Sequence, residues 1–290
     1  MAVEAVNIVV VHGGAGAWPR DRWREATAGV AAAARAAFAL VAGGGSALDA
    51  AVAAVVILED DPRYNAGTGS VPTANGHLEF DAAVMDGASG RAGAVAAATG
   101  IRNPVRLARA VFDDGRHILL AANGATAFAH AAGIEQSTAG HVEPTDQSLK
   151  APTQDTVGAV VCVGGKLAAA TSTGGTHGKL QGRVGDAPLI GAGTWADANC
   201  AVSATGTGER LIEAAAAHEV AARVRLTSAS LQEAVEAVVF GIQGNAGLIA
   251  VDLAGRVATA CNTDAMPRAI ATGDGVKAAT GRDEPLRAIL

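Results

Sequence analysis

The sequence predicts an α+β protein in which helices cover antiparallel sheets. Three observations carry that expectation. Three segments each hold two apolar, strand-type runs separated by a glycine-containing break, the signature of a β-hairpin. Ala-rich stretches of helical pattern fill the intervals between them. The strands read as apolar on both sides, so each face needs a covering layer. Half of the 290 residues are hydrophobic and only 17% are charged, which excludes wholesale disorder and supplies a sizeable core. The 37 glycines, about 13% of the chain, have no three-residue period. They cluster beside apolar runs, where they mark tight turns and close backbone approaches.

In chain order, the first strand ends at His12, within the run His12–Gly16. Residues 20–42 and 46–58 carry helical pattern. Between them, Gly43–Gly45 reads as a helix C-cap followed by Ser46 as a new N-cap. A phosphate-binding glycine loop would need a preceding strand, which is missing here. His77–Gly87 with 92–97 is the first hairpin, broken at Asp86-Gly87 and a further Ser-Gly. Gly158–Ser172 is the second, around Gly164-Gly165, and Gly247–Cys261 the third, around Leu253–Gly255. Glu209–Arg223 and Ser228–Val239 read as helices with charges between apolar positions. Residues 134–155 differ from their surroundings, with two prolines, many polar residues and few large apolar ones. They read as an exposed, mobile segment or as a linker between two domains.

Composition narrows function. A net charge of −6 argues against nucleic acid as a partner. The apolar run at the N-terminus holds Glu4 and has no basic start, so no signal peptide is expected. The Ala-rich segments are interrupted before the roughly 20 apolar residues a membrane span requires. Cys162, Cys200 and Cys261 form no CxxC pair and predict neither a disulfide framework nor a zinc ribbon. A soluble, cytoplasmic protein is the expectation. The motifs GxSxG, HExxH and GxxxxGK[ST] are all absent, and a lone histidine at His12 reads as a structural hydrogen-bond partner.

Chemistry concentrates in the second half. Asp155-Thr156 is followed by Thr171–Gly175, Gly182–Asp186 and Thr205–Glu209. Singly, each has a structural reading as a strand, a turn or a helix start. Together they bring hydroxyls, backbone amides, and a cation and an anion three residues apart at Arg183 and Asp186. That equipment suits a zwitterionic amino-acid group and an acyl-transfer oxyanion.

These runs, with His12–Gly16, Tyr64–Gly67, Leu78–Gly87, Asp155–Val160 and Gly191–Gly193, span nearly the whole chain. In this order the chain resembles the plant-type asparaginase and isoaspartyl-peptidase family, a branch of the N-terminal-nucleophile hydrolases. The resemblance implies a four-layer αββα sandwich formed as a single hydrolase domain over 1–290. It also implies self-cleavage between Asp155 and Thr156, giving an α chain of residues 1–155 and a β chain of residues 156–290. The segment 134–155 would become the loose end of the α chain. Two αβ units are expected to pair as a homodimer.

The resemblance further implies residue roles. Thr156 is the expected nucleophile, its freed amino group the base, and Thr173 its neighbour. Thr205 and Gly206 would form the oxyanion hole. Arg183 and Asp186 would hold a substrate's α-carboxylate and α-amine, helped by Gly208, with Asn65 close by. The expected reaction is hydrolysis of the side-chain amide of L-asparagine or of β-aspartyl dipeptides to release L-aspartate. No cofactor is expected for catalysis. A structural sodium would be held by the backbone carbonyls of Leu58, Glu59, Asp61, Tyr64, Ala66 and Thr68. Asp155 stands where many members have glycine, Ala187 where serine is common, and Cys261–Arg268 departs from the usual Phe-Asn-Thr pattern. A glycosylasparaginase, a taspase-like endopeptidase and a non-cleaving relative with a binding role are the alternatives.

Overall fold

The computed structural model describes residues 6–137 and 156–289. Its first half runs β1 (Asn7–His12), α1 (Trp23–Ala42), α2 (Ala47–Glu59), β2 (Phe80–Asp86), β3 (Arg91–Ala98), α3 (Pro104–Asp114), β4 (Leu119–Ala121) and α4 (Ala122–Ala131). The second half runs β5 (Val157–Val163), β6 (Lys166–Thr173), β7 (Thr194–Ala196), β8 (Cys200–Gly206), α5 (Gly208–Glu213), α6 (Ala216–Leu226) and α7 (Leu231–Gly241). It ends with β9 (Ala246–Asp252), β10 (Val257–Cys261), β11 (Ala265–Thr272), β12 (Gly275–Gly281) and β13 (Arg287–Ile289).

The strands form a nine-stranded sheet in the order β13-β12-β11-β1-β5-β6-β2-β3-β4 and a four-stranded sheet in the order β10-β9-β8-β7. All pairs are antiparallel except β3 with β4. This is a mixed α and β architecture, and alternation along each strand distributes its side chains between cores. In β1, Val9 and Val11 join the cluster beneath α1, α2 and α3, whereas Ile8 and Val10 join a second cluster facing the smaller sheet. The smaller sheet repeats the pattern. Ala201, Ile249 and Val251 face the larger sheet, and Val202, Leu248 and Ala250 pack with α6 and α7. Burial on both faces is why these strands read as unbroken apolar runs.

The three expected hairpins form as β2–β3, β5–β6 and β9–β10. Gly90, Gly164, Gly165 and Gly255 adopt positive φ in their turns, a region glycine enters without steric cost. Ser46 caps α2, accepting a hydrogen bond from the Asp49 N–H at 3.1 Å. The helix expected over 209–223 divides into α5 and α6 because Ala215 takes a left-handed conformation, φ 45°. Ser230 rather than Ser228 begins α7, through a reciprocal capping box with Glu233. Helices α3 and α4 are additions to the sequence reading. Helix α1 with the turn before it is long and apolar enough to cross a membrane, which the sequence reading did not allow. Its apolar side instead packs on β1, β11, β12 and α2. Within the segment expected to be mobile, 134–137 are tied to the body: the Arg102 N–H donates to Glu135 O and the Ser137 N–H to Gly100 O. The remainder, 138–155 including Asp155, lies outside the described residues.

Small residues make the layers thin, and Gly93 shows how tightly. A Cβ there would stand 2.4 Å from both Ala108 O and Phe112 N of α3. Gly93→Ala is expected to lose about 1–3 kcal/mol through overpacking. Gly124→Ala, in α4 with nothing within 4 Å of the added Cβ, should gain about 0.5–1 kcal/mol. Urea unfolding of both variants checks the opposite signs.

Candidate active site

Sheet register assembles the site. The β5–β6 ladder pairs Val157 with Ser172, so Thr156, one step before β5, falls opposite Thr173. The β6–β2 ladder then pairs Thr173 with Asp81. Beside this row lies a cleft of roughly 230 Å³ including its open mouth, lined by Thr156, Thr173, Gly175, Thr176, Arg183, Asp186, Gly206 and Gly208. A larger depression lies between α2 and α3. There Arg109 is paired with Asp49 and Asp113, and no hydroxyl or thiol nucleophile is among the lining residues.

Six of the residues singled out from the sequence therefore line one cleft. Thr205 adjoins it through Gly206 and is fully buried. Asn65 stands behind the wall. Its Nδ2 donates to Gly175 O at 2.6 Å, and its Oδ1 accepts from the Val71 N–H at 3.0 Å. Gly175 and Thr176 were not identified as site residues from the sequence, although their adjacency to Thr173 was a usable signal.

The threonine hydroxyls are left with protons to give. Thr173 Oγ1 accepts from the Gly175 N–H at 2.9 Å, and Thr205 Oγ1 accepts from the Ala15 N–H at 3.2 Å. Each oxygen thus receives a bond from backbone while its own O–H stays available as a donor. Gly206 has φ 140°, and a Cβ there would lie 2.1 Å from Asn245 O, so only glycine fits. His12, at the end of β1, is buried, and its Nε2 lies 2.8 Å from Ser203 Oγ. Burial lowers its pKa to about 3, against a raising contribution from the Thr156 backbone, so it is neutral at physiological pH.

The charged pair is unusual. Arg183 Nε donates to Glu209 Oε1 at 2.9 Å. Its Nη2 lies 2.9 Å from the same oxygen but out of line for a hydrogen bond, and this buried atom has no acceptor among the described residues. Asp186 Oδ2 is likewise buried and has no donor among the described residues. Both groups converge on Gly208, where a Cβ would stand 2.6 Å from Arg183 Nη2 and 3.1 Å from Asp186 Oδ1. Burial pushes Asp186 up to about 7, opposed by its own backbone N–H and by the positive charge of Arg183.

The residues expected to hold a cation lie where α2 ends and the following loop turns back. Asp61, Tyr64 and Ala66 carbonyls each accept one backbone N–H, from Tyr64, Ala66 and Gly69 respectively. A Cβ on Gly67 would lie 2.5 Å from Glu59 O, and one on Gly69 would lie 2.1 Å from Tyr64 O. Glycines thus allow close backbone approach at this bend, and carbonyl oxygen is a ligand type that suits a hard cation.

Comparison with known proteins now bears on this cleft. A family profile described as Asparaginase matches residues 5–151 and 136–280. The chain belongs to this asparaginase family. It is 44% identical over 243 residues to an isoaspartyl peptidase of Escherichia coli, covering 73% of this chain and 75% of that protein. A plant-type L-asparaginase of Pyrobaculum calidifontis is 40% identical over 288 residues, covering 91% and 96%. An isoaspartyl peptidase/L-asparaginase of Bos taurus is 40% identical over 287 residues, covering 91% and 92%. Membership of the asparaginase family makes the chain an amidohydrolase.

The raised pKa of Asp186 has a consequence for stability. Between the ordinary carboxylate value of about 4 and about 7, the folded protein holds a proton there that the unfolded chain has lost, so this group's contribution falls as pH rises. Asp186→Asn removes that titration. The variant is expected to gain on wild type by on the order of a few kcal/mol between pH 4 and 8. Urea unfolding of both proteins at pH 5 and pH 8 measures the difference.

Proposed function

We propose that the chain is a self-cleaving threonine hydrolase that releases L-aspartate from L-asparagine and from β-aspartyl dipeptides. One observation carries the substrate assignment: a buried guanidinium nitrogen and a buried carboxylate oxygen, neither hydrogen-bonded among the described residues, share one cleft with Thr156 and Thr173. An unpaired buried polar atom is costly, and an α-carboxylate and an α-ammonium on one carbon would relieve both. Arg183 Nη2 takes the carboxylate, and Asp186 Oδ2 takes the ammonium, with the Gly208 carbonyl as a further acceptor. The substrate's side-chain amide then points along the cleft toward Thr156. An ordinary α-peptide has no such free pair.

Cleavage between Asp155 and Thr156 frees an α-amino group whose unperturbed pKa is about 7.7–8.0. That amine takes the proton from Thr156 Oγ1, and the oxygen attacks the amide carbon. Negative charge develops on the carbonyl oxygen, where the Thr205 O–H and the Gly206 N–H donate. The ammonium returns its proton to the leaving nitrogen, and ammonia or the second amino acid departs. Water, deprotonated by the same amine, opens the acyl-enzyme and releases aspartate. The Thr173 hydroxyl holds the nucleophile, and Asn65 holds the turn after Thr173. The layered cores support reading the architecture as a four-layer αββα sandwich. Family resemblance supports pairing of two αβ units.

Thr156→Ala tests the whole scheme. It is expected to remain one full-length chain and to lose turnover of asparagine and β-aspartyl-leucine by on the order of 10³-fold or more. Thr156→Ser should cut slowly and retain measurable turnover. Gel electrophoresis over hours with ammonia and aspartate assays reads both. Normal maturation of the alanine variant would refute the assigned bond.

A structural sodium held by carbonyls between Leu58 and Thr68 is proposed on family resemblance, with no part in the reaction. Replacing sodium by choline is expected to lower Tm by about 2–4 °C, measured by calorimetry.

A further inference from the structure

The residues that grip a substrate sit on an irregular loop, and that loop is held from the other half of the chain. Residues 174–186, between β6 and β7, carry Gly175, Thr176, Arg183 and Asp186, half of the cleft's lining. A loop has no ladder of its own to set the position of its side chains. Here the missing anchors come from residues just before and within β2. The Gly182 N–H donates to Glu79 Oε2 at 2.8 Å, and the Gly185 N–H donates to Asp81 Oδ2 at 2.9 Å. These two amides bracket Arg183.

We propose that Glu79 and Asp81 are positioning residues that set the spacing of the substrate clamp, an inference that rests on reading Arg183 and Asp186 as that clamp. Both carboxyl side chains are buried, Asp81 completely. A carboxylate taken from water to hold a neutral loop amide costs more than a surface bond would return, so its place must be fixed by other contacts. Asp81 has them. Its second oxygen accepts from the Ala97 N–H at 2.8 Å, at the irregular step of the β2–β3 ladder, where Ala97 adopts φ 46°. The extra residue of this step lies in β3, so Asp81 faces both Ala96 and Ala97 while keeping its place opposite Thr173 in the β6 ladder.

The geometry also shows why Asp81 does not quench the clamp. A Cβ on Gly185 would lie 2.8 Å from Arg183 Nη1 and 3.7 Å from Asp81 Oδ2, so guanidinium and carboxylate are neighbours across this glycine. Asp81 nevertheless spends both oxygens on backbone N–H groups and forms no ion pair with Arg183 among the described residues. The buried Lys179 supplies a nearby positive charge, and its Nζ is itself fixed by donating to Glu79 O at 2.8 Å. The backbone on either side of Arg183 is therefore held, while Nη2, 2.9 Å from Glu209 Oε1 but not hydrogen-bonded to it, is left to receive an anion. After cleavage at Asp155–Thr156, these bonds join two separate chains. The α chain would then set the selectivity of a site whose nucleophile and clamp both belong to the β chain.

The test uses fully matured protein and L-aspartate as the probe. Dissociation constants by calorimetry and kcat and KM for asparagine are measured for wild type, Arg183→Ala, Glu79→Gln and Asp81→Asn, with self-cleavage and Tm as folding controls. Displacing a binding group by about 1 Å costs up to roughly 100-fold. Glu79→Gln and Asp81→Asn are each expected to weaken aspartate binding and raise KM by about 10–100-fold, with kcat within about 3-fold of wild type and self-cleavage intact. Should Asp81→Asn fail to fold, Glu79→Gln, which loses a single loop contact, carries the test. Wild-type binding in a folded Glu79→Gln or Asp81→Asn, beside lost binding in Arg183→Ala, overturns the positioning role and leaves the clamp standing. A fall in kcat at unchanged KM also overturns it. Wild-type binding in Arg183→Ala removes the clamp and this inference together.

Discussion

The structure is organised around an electrostatic constraint: a cation and an anion converge on one cleft, each with a buried atom that makes no hydrogen bond among the described residues. Arg183 Nη2 and Asp186 Oδ2 lie in the same cleft, and Glu209 satisfies only part of the guanidinium. In a low dielectric, such groups would collapse onto one another or draw in other partners unless their backbone were held. Gly208 keeps the space between them clear, since any larger residue would occupy it. Glu79 and Asp81 hold the loop on either side of Arg183. The unpaired atoms are thus maintained by the frame, and their partners are expected to arrive with the ligand.

That frame is rigid because it is thin. Alanine and valine dominate the buried face of α1, with Ala26, Val30, Ala33, Ala34, Ala37 and Val41 at helical spacing. Small side chains let α1 and α2 lie close to the larger sheet, and glycines admit contact where even a Cβ would collide. Gly158 is an example: its missing Cβ leaves room for Ser203 Oγ, which would stand 2.0 Å away, and for His12 Nε2, at 2.5 Å. Ser203 Oγ also lies 2.9 Å from Thr171 Oγ1. Gly158, Thr171 and Ser203 are each two residues from Thr156, Thr173 and Thr205 on the same strand, hence on the same face. A buried polar contact layer therefore underlies all three threonines.

Much of this was legible in the sequence, unevenly and for physical reasons. Hairpins are local, and their turns announce themselves through Gly164-Gly165 or Gly255, so all three were found. Ser46 was found because an N-cap acts within one turn. Helix 209–223 was misjudged as continuous, since nothing in a run of four alanines signals that Ala215 will leave the helical region. Helix α1 was undervalued as a long apolar element because Arg35 interrupts it, although that residue faces outward and donates to Ile289 O. The pairing of β1 between β11 and β5 joins strands far apart in the chain, and no local signal reports it. The threonines and the Arg183–Asp186 pair were legible through family resemblance. Glu79 and Asp81 were not, because their partners, the Gly182 and Gly185 N–H groups, lie about a hundred residues away in the chain and no local pattern reports them.

Strand order is also compatible with the cut proposed before Thr156. Thr156 enters β5, which lies in the interior of the larger sheet with β1 on one side and β6 on the other. On either side of the cut, the halves alternate: β1 comes before residue 156 and lies between β11 and β5 from after it, while β6 pairs with β2 from before it. The proposed cut lies before the first residue of β5, so the described β1–β5 and β5–β6 ladders lie wholly on residues that it leaves joined. Separating the halves would mean stripping β1 from both neighbours and β2 from β6, an unfolding of the sheet. The amino group freed by the proposed cut would consequently stay where the β5 register puts it, opposite Thr173. A base tethered to the nucleophile's own residue requires a chain end in the middle of a sheet, and interleaved strands are what make that compatible with a stable fold.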